Sequence, residues 1–253
     1  MTAKTERKRL DVLLVERGLA ESSHKAQAMI LAGEVEVEQQ RADKAGLILP
    51  ETAHIEVHSR QQKYASRGGT KLEGALEDFH ISAADKTCLD IGASTGGFTD
   101  CLLQNGAKRV YAVDVNTDQL AWKIRGDVRV VRIEKNAREL LAEDLPEPVD
   151  LVAVDVSFIS VKKILPGAAA CAKPGADLLI LVKPQFELER EDVGKGGIVR
   201  EKKLHDKAVG GVRSAVEELG LSVLGVAASR LPGAEGNQEY FLHVRKAAGV
   251  ESR

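Results

Sequence analysis

Aromatic residues and cysteines are scarce in this chain of 253 residues. Aromatic residues make up only 4% of it, which argues against a sheet surface built to stack RNA bases. The three cysteines, Cys88, Cys101 and Cys171, form no Cys-x-x-Cys pair, which argues against a disulfide framework or a zinc site. We therefore expect a reduced, cytoplasmic setting.

Long apolar runs and an excess of charge are also missing. No run approaches the roughly 20 apolar residues that a membrane-spanning helix needs, and the basic, polar residues 1–9 do not resemble a signal peptide. The net charge is -2, so any nucleic-acid interface must come from a local basic patch. These absences predict a soluble protein with no membrane partner, and they leave the oligomeric state open.

Periodicity divides the chain into a small N-terminal module and a larger domain. Residues 9–57 predict two short helices, one carrying Leu10, Leu13 and Leu14 and one capped at Ser22 or Ser23, followed by alternating strands at 34–37 and 54–57. The domain boundaries expected are 1–60 for this module, 61–70 for a basic linker and 71–253 for the larger domain.

The larger domain alternates apolar strands with helical segments. Helices are predicted at 98–104, 164–172 and 204–219, and strands at 87–91, 110–115, 128–133, 151–156, 178–182, 223–228 and 240–244. Most of these strands are nearly continuous in apolar residues, which is typical of strands covered on both faces. The fold class predicted is α/β, with a doubly wound, mostly parallel, seven-stranded sheet.

Charged residues interrupt this pattern at the ends of four strands. Asp90, Asp114, Asp155 and Lys183 all fall at or near the carboxyl end of an apolar run. Ligands of open α/β sheets bind at that edge. One such residue is more often a cap or a solvated group, but four at one edge indicate a site.

A glycine-rich turn follows the first of these strands. Gly92, Gly96 and Gly97 allow close approach of a ligand to the backbone at the start of a helix. The turn is not the Gly-x-Gly-x-x-Gly dinucleotide fingerprint, because Ser94 takes the second glycine position. A carboxylate such as Asp114 can accept both ribose hydroxyls of an adenosine. A nucleoside site without a pyrophosphate loop suits S-adenosylmethionine.

The same turn has a second interpretation. Gly92-Ala93-Ser94-Thr95-Gly96 fits the Gly-x-Ser-x-Gly elbow of serine hydrolases, with His205 and His243 as candidate bases. That fold needs several core strands before the serine, whereas this turn follows the first strand of its domain. We therefore interpret Ser94 as a member of the cofactor loop.

A stretch without acidic residues precedes the larger domain. Between residues 57 and 72 it carries Arg60, Lys63, Arg67 and Lys71. This is either a solvated linker or a basic seam that contacts phosphate.

Seven motifs resemble the TlyA family, ribosomal RNA 2'-O-ribose methyltransferases whose catalytic domain is of the FtsJ type. They cover nearly the whole chain: Lys63-Tyr64-x-Ser66-Arg67-Gly68-Gly69-x-Lys71-Leu72, Asp90-x-Gly92-Ala93-Ser94-Thr95-Gly96-Gly97-Phe98-Thr99-Asp100, Tyr111-Ala112-Val113-Asp114-Val115, Gln119-Leu120-Ala121-Trp122, Asp155-Val156-Ser157-Phe158-Ile159-Ser160, Val182-Lys183-Pro184-Gln185-Phe186-Glu187 and Asn237-x-Glu239-Tyr240-Phe241. The resemblance implies an N-terminal RNA-binding domain of the type found in ribosomal protein S-four. It also implies a Rossmann-like methyltransferase dependent on S-adenosylmethionine, and a substrate cytidine in the large ribosomal subunit, with the small subunit as a further candidate.

The resemblance also implies roles for individual residues. Lys71, Asp155, Lys183 and Glu239 would form the catalytic tetrad, in which Lys183 orients and helps to deprotonate the 2'-hydroxyl. Burial or a second cation such as Lys71 would be needed to favour its neutral form. No metal is expected, because the sulfonium leaves as a neutral thioether. The expected cofactor-binding residues are Asp90, Gly92, Ala93, Ser94, Thr95, Gly96, Gly97, Phe98, Asp114, Val115, Asn136 and Asp155. The expected RNA-binding residues are Lys8, Arg9, Arg17, Lys25, Arg60, Lys63 and Arg67.

Three functions are compared on these grounds. The leading one is methyl transfer to a cytidine 2'-hydroxyl of ribosomal RNA. The alternatives are an RNA-binding protein that keeps the fold without catalysis, and a serine hydrolase acting through Ser94. Family members have also been called hemolysins, but the sequence contains no spanning or strongly amphipathic segment suited to direct membrane lysis.

Overall fold

The computed structural model describes residues 7–57, 63–233 and 236–248. The chain divides into two compact units, residues 1–61 and 62–253. No helix in the described ranges is both long and apolar enough to cross a membrane.

The first unit contains two helices and five short strands. They are β1 (Arg7–Arg9), α1 (Leu10–Glu16), α2 (Ser23–Leu31), β2 (Val35–Val37), β3 (Gln40–Arg41), β4 (Ile48–Pro50) and β5 (Ile55–Val57). Strand β2 lies between β3 and β5, and β1 pairs with β4. The Ser22 side chain accepts a hydrogen bond from the backbone N–H of Lys25 and so caps α2. Leu10, Leu14 and Ile30 are buried in the core of this unit.

The second unit is built around a seven-stranded sheet. Its strands are β6 (Thr87–Ile91), β7 (Arg109–Asp114), β8 (Val130–Glu134), β9 (Val149–Val154), β10 (Ala172–Val182), β11 (Leu221–Ala228) and β12 (Tyr240–Lys246). Their spatial order is β11-β12-β10-β9-β6-β7-β8. The strands from β6 to β10 are parallel, whereas β12 runs antiparallel to β10 and β11. The predicted seven-stranded, mostly parallel sheet is confirmed.

Helices cover both faces of this sheet. They are α3 (Arg67–Asp78), α4 (Gly97–Gln104), α5 (Trp122–Arg125), α6 (Leu165–Cys171), α7 (Pro184–Glu187) and α8 (Lys202–Glu218). Successive strand residues point to opposite faces. In β9, Leu151 and Ala153 join the core formed with α3 and α4, while Val152 and Val154 join the core formed with α6 and α8.

The edge strands β8 and β11 are less buried than the central strands, since three of the five residues in β8 and every second residue of β11 are exposed. One expectation about this unit is corrected. The segment 61–70 is not a linker throughout, because residues 67–70 form the first turn of α3. Gly69 is required there: a Cβ atom would lie 2.7 Å from the carbonyl oxygen of Gly97. The two helices therefore approach more closely than a side chain would allow.

Candidate active site

Three of the predicted catalytic residues, Asp155, Lys183 and Glu239, lie on the face of the sheet that α3 covers, because successive strand residues point to opposite faces. Strand β12 begins beside the end of β10, with Tyr240 paired to Val182. Each of the three therefore lies near the carboxyl edge of the parallel strands. Asp155, Lys183 and Glu239 each stand two residues from a strand residue of the α3 core, namely Ala153, Leu181 and Phe241. The fourth residue, Lys71, lies on α3 itself.

Lys71 and Glu239 form a buried ion pair. The Lys71 Nζ atom lies 2.5 Å from Glu239 Oε2, and the two side chains are 10% and 3% exposed. Gly233 packs directly against this carboxylate, since a Cβ atom there would lie 2.6 Å from Glu239 Oε1. An ammonium group taken out of water in this way needs its carboxylate partner.

Lys183 and Asp155 form a second ion pair. The Lys183 Nζ atom lies 2.6 Å from Asp155 Oδ1 and donates a hydrogen bond of 2.8 Å to Ser157 Oγ. Two groups from the end of β9 thus hold the ammonium group that follows β10. Lys183 is 9% exposed, and it borders the same cavity as Lys71.

The glycine turn approaches this site through close backbone packing. A Cβ atom at Gly92 would lie 2.2 Å from the carbonyl oxygen of Asp155, and Gly92 has φ +88°. Gly96 caps α4 in the left-handed region, with φ 90° and ψ 23°. Its missing side chain leaves room for Leu120 and Ile124, whose atoms lie 3.0 and 3.3 Å from the Cβ position. Glycine is therefore needed at both positions.

Asp90 lies beneath the turn, fully buried. Its Oδ2 atom accepts a hydrogen bond of 2.6 Å from Thr99 Oγ1 in α4, while Oδ1 has no partner among the described residues. Burial raises the pKa of Asp90 to about 7, against the opposing effect of the Thr99 hydrogen bond. Asp90 thus ties α4 to β6 rather than lining either cavity.

Two cavities meet at the turn and share Gly92, Ser94, Asp155 and Ser157. The first contains Lys71 and Lys183. The second has a volume of about 610 Å³, within the range of small-molecule sites. All predicted cofactor residues except Asp90 and Gly96 line one or both cavities: Gly92, Ala93, Ser94, Thr95, Gly97, Phe98, Asp114, Val115, Asn136 and Asp155.

The side chains of Asp114 and Asn136 accept hydrogen bonds from the backbone and also line the second cavity. Asp114 Oδ2 accepts from the N–H of Ser94 at 2.9 Å, and its Oδ1 accepts from the N–H of Asn116 at 3.1 Å. Asn136 Oδ1 accepts from the N–H of Arg138 at 3.1 Å. A carboxylate oxygen can accept more than one hydrogen bond, so Asp114 keeps capacity for ligand hydroxyls.

The hydrolase alternative lacks its base. The ring nitrogens of His205 contact the carbonyl oxygen of Val199 at 2.9 Å and the hydroxyl of Tyr240 at 3.2 Å. His243 pairs with Asp177 at 2.8 Å. Asp177 lies six residues before Lys183, roughly 20 Å along the strand. Neither candidate histidine is therefore free to activate Ser94.

The predicted RNA-binding residues differ in how far their charges are compensated. Lys8 pairs with Glu16 and Glu51, Arg9 with Asp11 and Lys63 with Glu73. Arg17 donates to the carbonyl oxygens of Glu51 and Ala53, and Arg67 to that of Pro232. The side chain of Lys25 is exposed. Arg60 lies outside the described residues.

Several cavity residues were not assigned from the sequence. Ser66 and Pro232 line the first cavity, Lys135, Arg138 and Phe158 the second, and Ser157 both. Phe158 is 89% exposed and has a positive φ of 65°, a strained conformation for this residue type. The signal for Ser157 and Phe158 was their place directly after Asp155. Ser66 stood in the first family motif without an assigned role, and Pro232 carried no signal. No cluster of three metal-ligating side chains occurs in the described part of the chain.

Comparisons with known proteins show which families the two units are similar to. The model of the FtsJ-like methyltransferase family matches residues 64–246, and the S4 domain model matches residues 8–55. The "Putative rRNA methyltransferase YqxC" of Bacillus subtilis is 48% identical over 246 residues, which cover 96% of this chain and 87% of that protein.

Two further matches extend over both units. The 16S/23S rRNA (cytidine-2'-O)-methyltransferase TlyA of Mycobacterium tuberculosis is 46% identical over 94% of this chain and 90% of that protein. A solved structure named "Putative hemolysin" from Streptococcus thermophilus has a TM-score of 0.75 and 42% identity, covering 96% of this chain and 90% of that one.

Proposed function

This chain belongs to the TlyA family of FtsJ-like methyltransferases, and on that premise we propose that it methylates the ribose 2'-hydroxyl of a cytidine in ribosomal RNA, with S-adenosylmethionine as the methyl donor. The observation that carries the proposal is the pairing at one cavity of Lys71 with Glu239 and of Lys183 with Asp155. Two ammonium groups, each fixed by a carboxylate, lie beside a cavity that can take a nucleoside. This arrangement is suited to the transfer of a methyl group to a hydroxyl.

The second cavity fits the nucleoside part of the cofactor. Asp114 offers carboxylate oxygens at the end of β7, Gly92 and Ser94 of the glycine turn line this cavity, and Val115 supplies an apolar part of its wall. S-adenosylmethionine, when bound, supplies an electrophilic methyl group on a sulfonium. The chain's own residues then have to hold the acceptor oxygen in line with that methyl group.

Lys183 is the residue best placed to act on the acceptor. Its Nζ atom can donate a hydrogen bond to the 2'-oxygen, which orients the oxygen and stabilises the negative charge that develops as the hydroxyl proton leaves. Asp155 and Ser157 hold that nitrogen on two sides, which fixes its direction before RNA arrives. Through its ion pair with Glu239, Lys71 places a second fixed ammonium group at the same cavity. Charged groups that are already in position contribute most to stabilising a transition state.

Phe158 lines the second cavity and provides an apolar surface beside the proposed site of methyl transfer. It is almost fully exposed, and its ring contacts Phe186 with the centroids 5.5 Å apart. Enzymes that act on one nucleotide of folded RNA must unstack it, and an exposed ring beside the pocket can receive the displaced base. We assign Phe158 this role for the target cytosine.

The test is methyl transfer to ribosomal subunits. Incubation with labelled S-adenosylmethionine and unmodified 30S or 50S subunits should yield a 2'-O-methylcytidine that maps to a single rRNA position in a modified subunit. Lys183→Ala should lower the single-turnover rate about 100-fold or more while the affinities for rRNA and cofactor stay within about twofold. Lys202→Ala, at a residue 90% exposed on α8, is the matched control.

Two results would count against the proposal. Absence of methyl transfer to either subunit would contradict it. Full activity of the Lys183→Ala variant in a cell that depends on the protein would favour the non-catalytic RNA-binding alternative instead.

A further inference from the structure

Trp122 is the only tryptophan of the chain, and 84% of it is exposed. The residues two positions before and after it are packed: Leu120 is 1% and Ile124 2% exposed. Both lie against Gly96 of the glycine-rich turn, which is called the cofactor turn below. The indole therefore projects away from the face that holds the segment in place, on a support that cannot easily shift.

The position of this segment relates Trp122 to the site. It follows β7, so it leaves the sheet at the carboxyl edge where the cavities open. The N–H of Ala121 donates to the carbonyl oxygen of Thr95 at 3.1 Å. The residue next to the tryptophan is thus fixed to the cofactor turn, although Trp122 lines neither cavity.

A second link runs to the segment that precedes α3. Asp100 Oδ2 lies 2.7 Å from Lys123 Nζ and also accepts from the N–H of Ala65 at 2.7 Å. One carboxylate thereby joins the residue after Trp122 to the start of the Lys71 helix. The two chain neighbours of Trp122, Ala121 and Lys123, are thus tied to the turn and to the segment that border the first cavity.

We propose that Trp122 is a stacking platform for an unpaired ribosomal RNA nucleotide next to the methylated cytidine. This inference rests on the proposed function, since it names a second contact of the same substrate. An RNA strand whose target ribose enters the first cavity continues over the surface next to the segments that border this cavity. A flat exposed ring there can stack on any base.

The surroundings of Trp122 favour RNA over an apolar protein partner. Lys123 is 53% exposed, and Arg125 and Arg132 are 38% and 43% exposed. Cations interleaved with an exposed ring are typical of surfaces that follow a single strand. These cations pair with Asp100 and Asp118, so the segments next to Trp122 are rich in charge, whereas protein interfaces favour a contiguous apolar patch.

Because the chain has a single tryptophan, its fluorescence reports on this residue alone. The full-length protein is titrated with the protein-free rRNA that it methylates, and binding is measured in parallel on filters. Stacking should quench the emission in proportion to bound rRNA and protect it from acrylamide. Trp122→Ala should raise the KM for rRNA about tenfold, consistent with the loss of one stacked base, without changing the KM for cofactor. Trp122→Phe should restore most of the affinity, and Val128→Ala, at a nearby residue 97% exposed, should have no effect.

Each outcome decides the inference. The stacking role is overturned if rRNA is methylated while the tryptophan emission does not change and the KM for rRNA is the same in Trp122→Ala. That result leaves the proposed function intact. An emission change that depends on protein concentration without rRNA identifies a second copy as the occupant and also overturns it. Absence of both rRNA binding and methylation removes the proposed function and this inference together.

Discussion

The proposed chemical role of Lys71 and Glu239 can be separated from the structural role of their ion pair. The pair is almost completely buried. Replacing one partner alone, as Lys71→Met or Glu239→Leu, leaves an uncompensated charge that should cost about 3–5 kcal/mol of unfolding free energy. The double variant removes both charges and should recover much of that stability, as measured by thermal denaturation.

Methyl transfer should not follow the stability of these variants. If the pair contributes to the reaction, all three variants lose activity by about 100-fold or more, even where the double variant is as stable as the parent. Recovery of methyl transfer in the double variant would instead assign the pair a structural role only.

The burial of Asp90 makes the free energy of unfolding depend on pH. Its pKa is raised from 3.8 to about 7 by burial, so between these values the folded protein keeps a proton that the unfolded chain has released. The free energy of unfolding therefore falls as pH rises through this window, by up to about 1.4 kcal/mol per pH unit.

The variant Asp90→Asn should remove that dependence, because its amide oxygen can still accept from Thr99 but does not titrate. Its melting temperature relative to the parent should rise from pH 4 to pH 7 and then level off. Glu143→Gln, at an exposed residue, is the control. A difference that stays constant with pH would argue against a protonated Asp90 in the folded state.

Single residues were predictable from the sequence where strand periodicity fixed their place. Asp155 and Lys183 break apolar runs, so their position at the sheet edge followed from the pattern. Ser66 and Pro232 break no pattern, and they reach the first cavity only because tertiary packing brings distant segments to it. Which carboxylate pairs with which lysine likewise depends on register, which was not visible in any one segment.

At the scale of elements, Glu187 connects α7 to the loop that follows β9. Its carboxylate accepts from Ser160 Oγ at 2.6 Å and from the N–H of Val161 at 2.7 Å. That loop carries Ser157, which holds Lys183, and Phe158. Glu187 is therefore a positioning residue that fixes one wall of the site relative to another.

Glu187→Ala should release this loop and lower kcat about tenfold, since it removes two hydrogen bonds to the wall. Glu187→Gln should retain most activity because its amide can accept from Val161 and donate to Ser160. Steady-state kinetics with ribosomal subunits measure both variants. Equal decreases in the two would contradict a positioning role that depends on hydrogen-bond geometry.

Elements were predictable to different degrees for physical reasons. The buried strands β6, β9 and β10 carry continuous apolar sequences that point to two covered faces. Helix α3 was obscured by its start, Arg67-Gly68-Gly69, because two glycines and a cation are typical of a linker. Those glycines instead serve the close packing of α3 on α4, a requirement that belongs to the tertiary structure.

For the whole molecule, the two units should divide binding from catalysis. Each has its own buried core, one around Leu10 and Ile30 and the other around the seven-stranded sheet. The residues proposed for catalysis and for cofactor binding all belong to residues 62–253. A fragment of residues 63–253 should therefore unfold cooperatively and bind S-adenosylmethionine within about twofold of the full chain.

The same fragment should bind its RNA substrate more weakly. The first unit matches the S4 domain and carries Arg17 and Lys25, whose side chains are exposed. Each phosphate that the protein no longer neutralises makes the slope of log K against log salt shallower by about 0.7–0.9. We expect kcat/KM for ribosomal subunits to fall at least about tenfold and this slope to become shallower. The variant Lys25→Ala of the full chain should show a smaller change in the same direction, whereas an unchanged slope in the fragment would place all RNA binding on the catalytic unit.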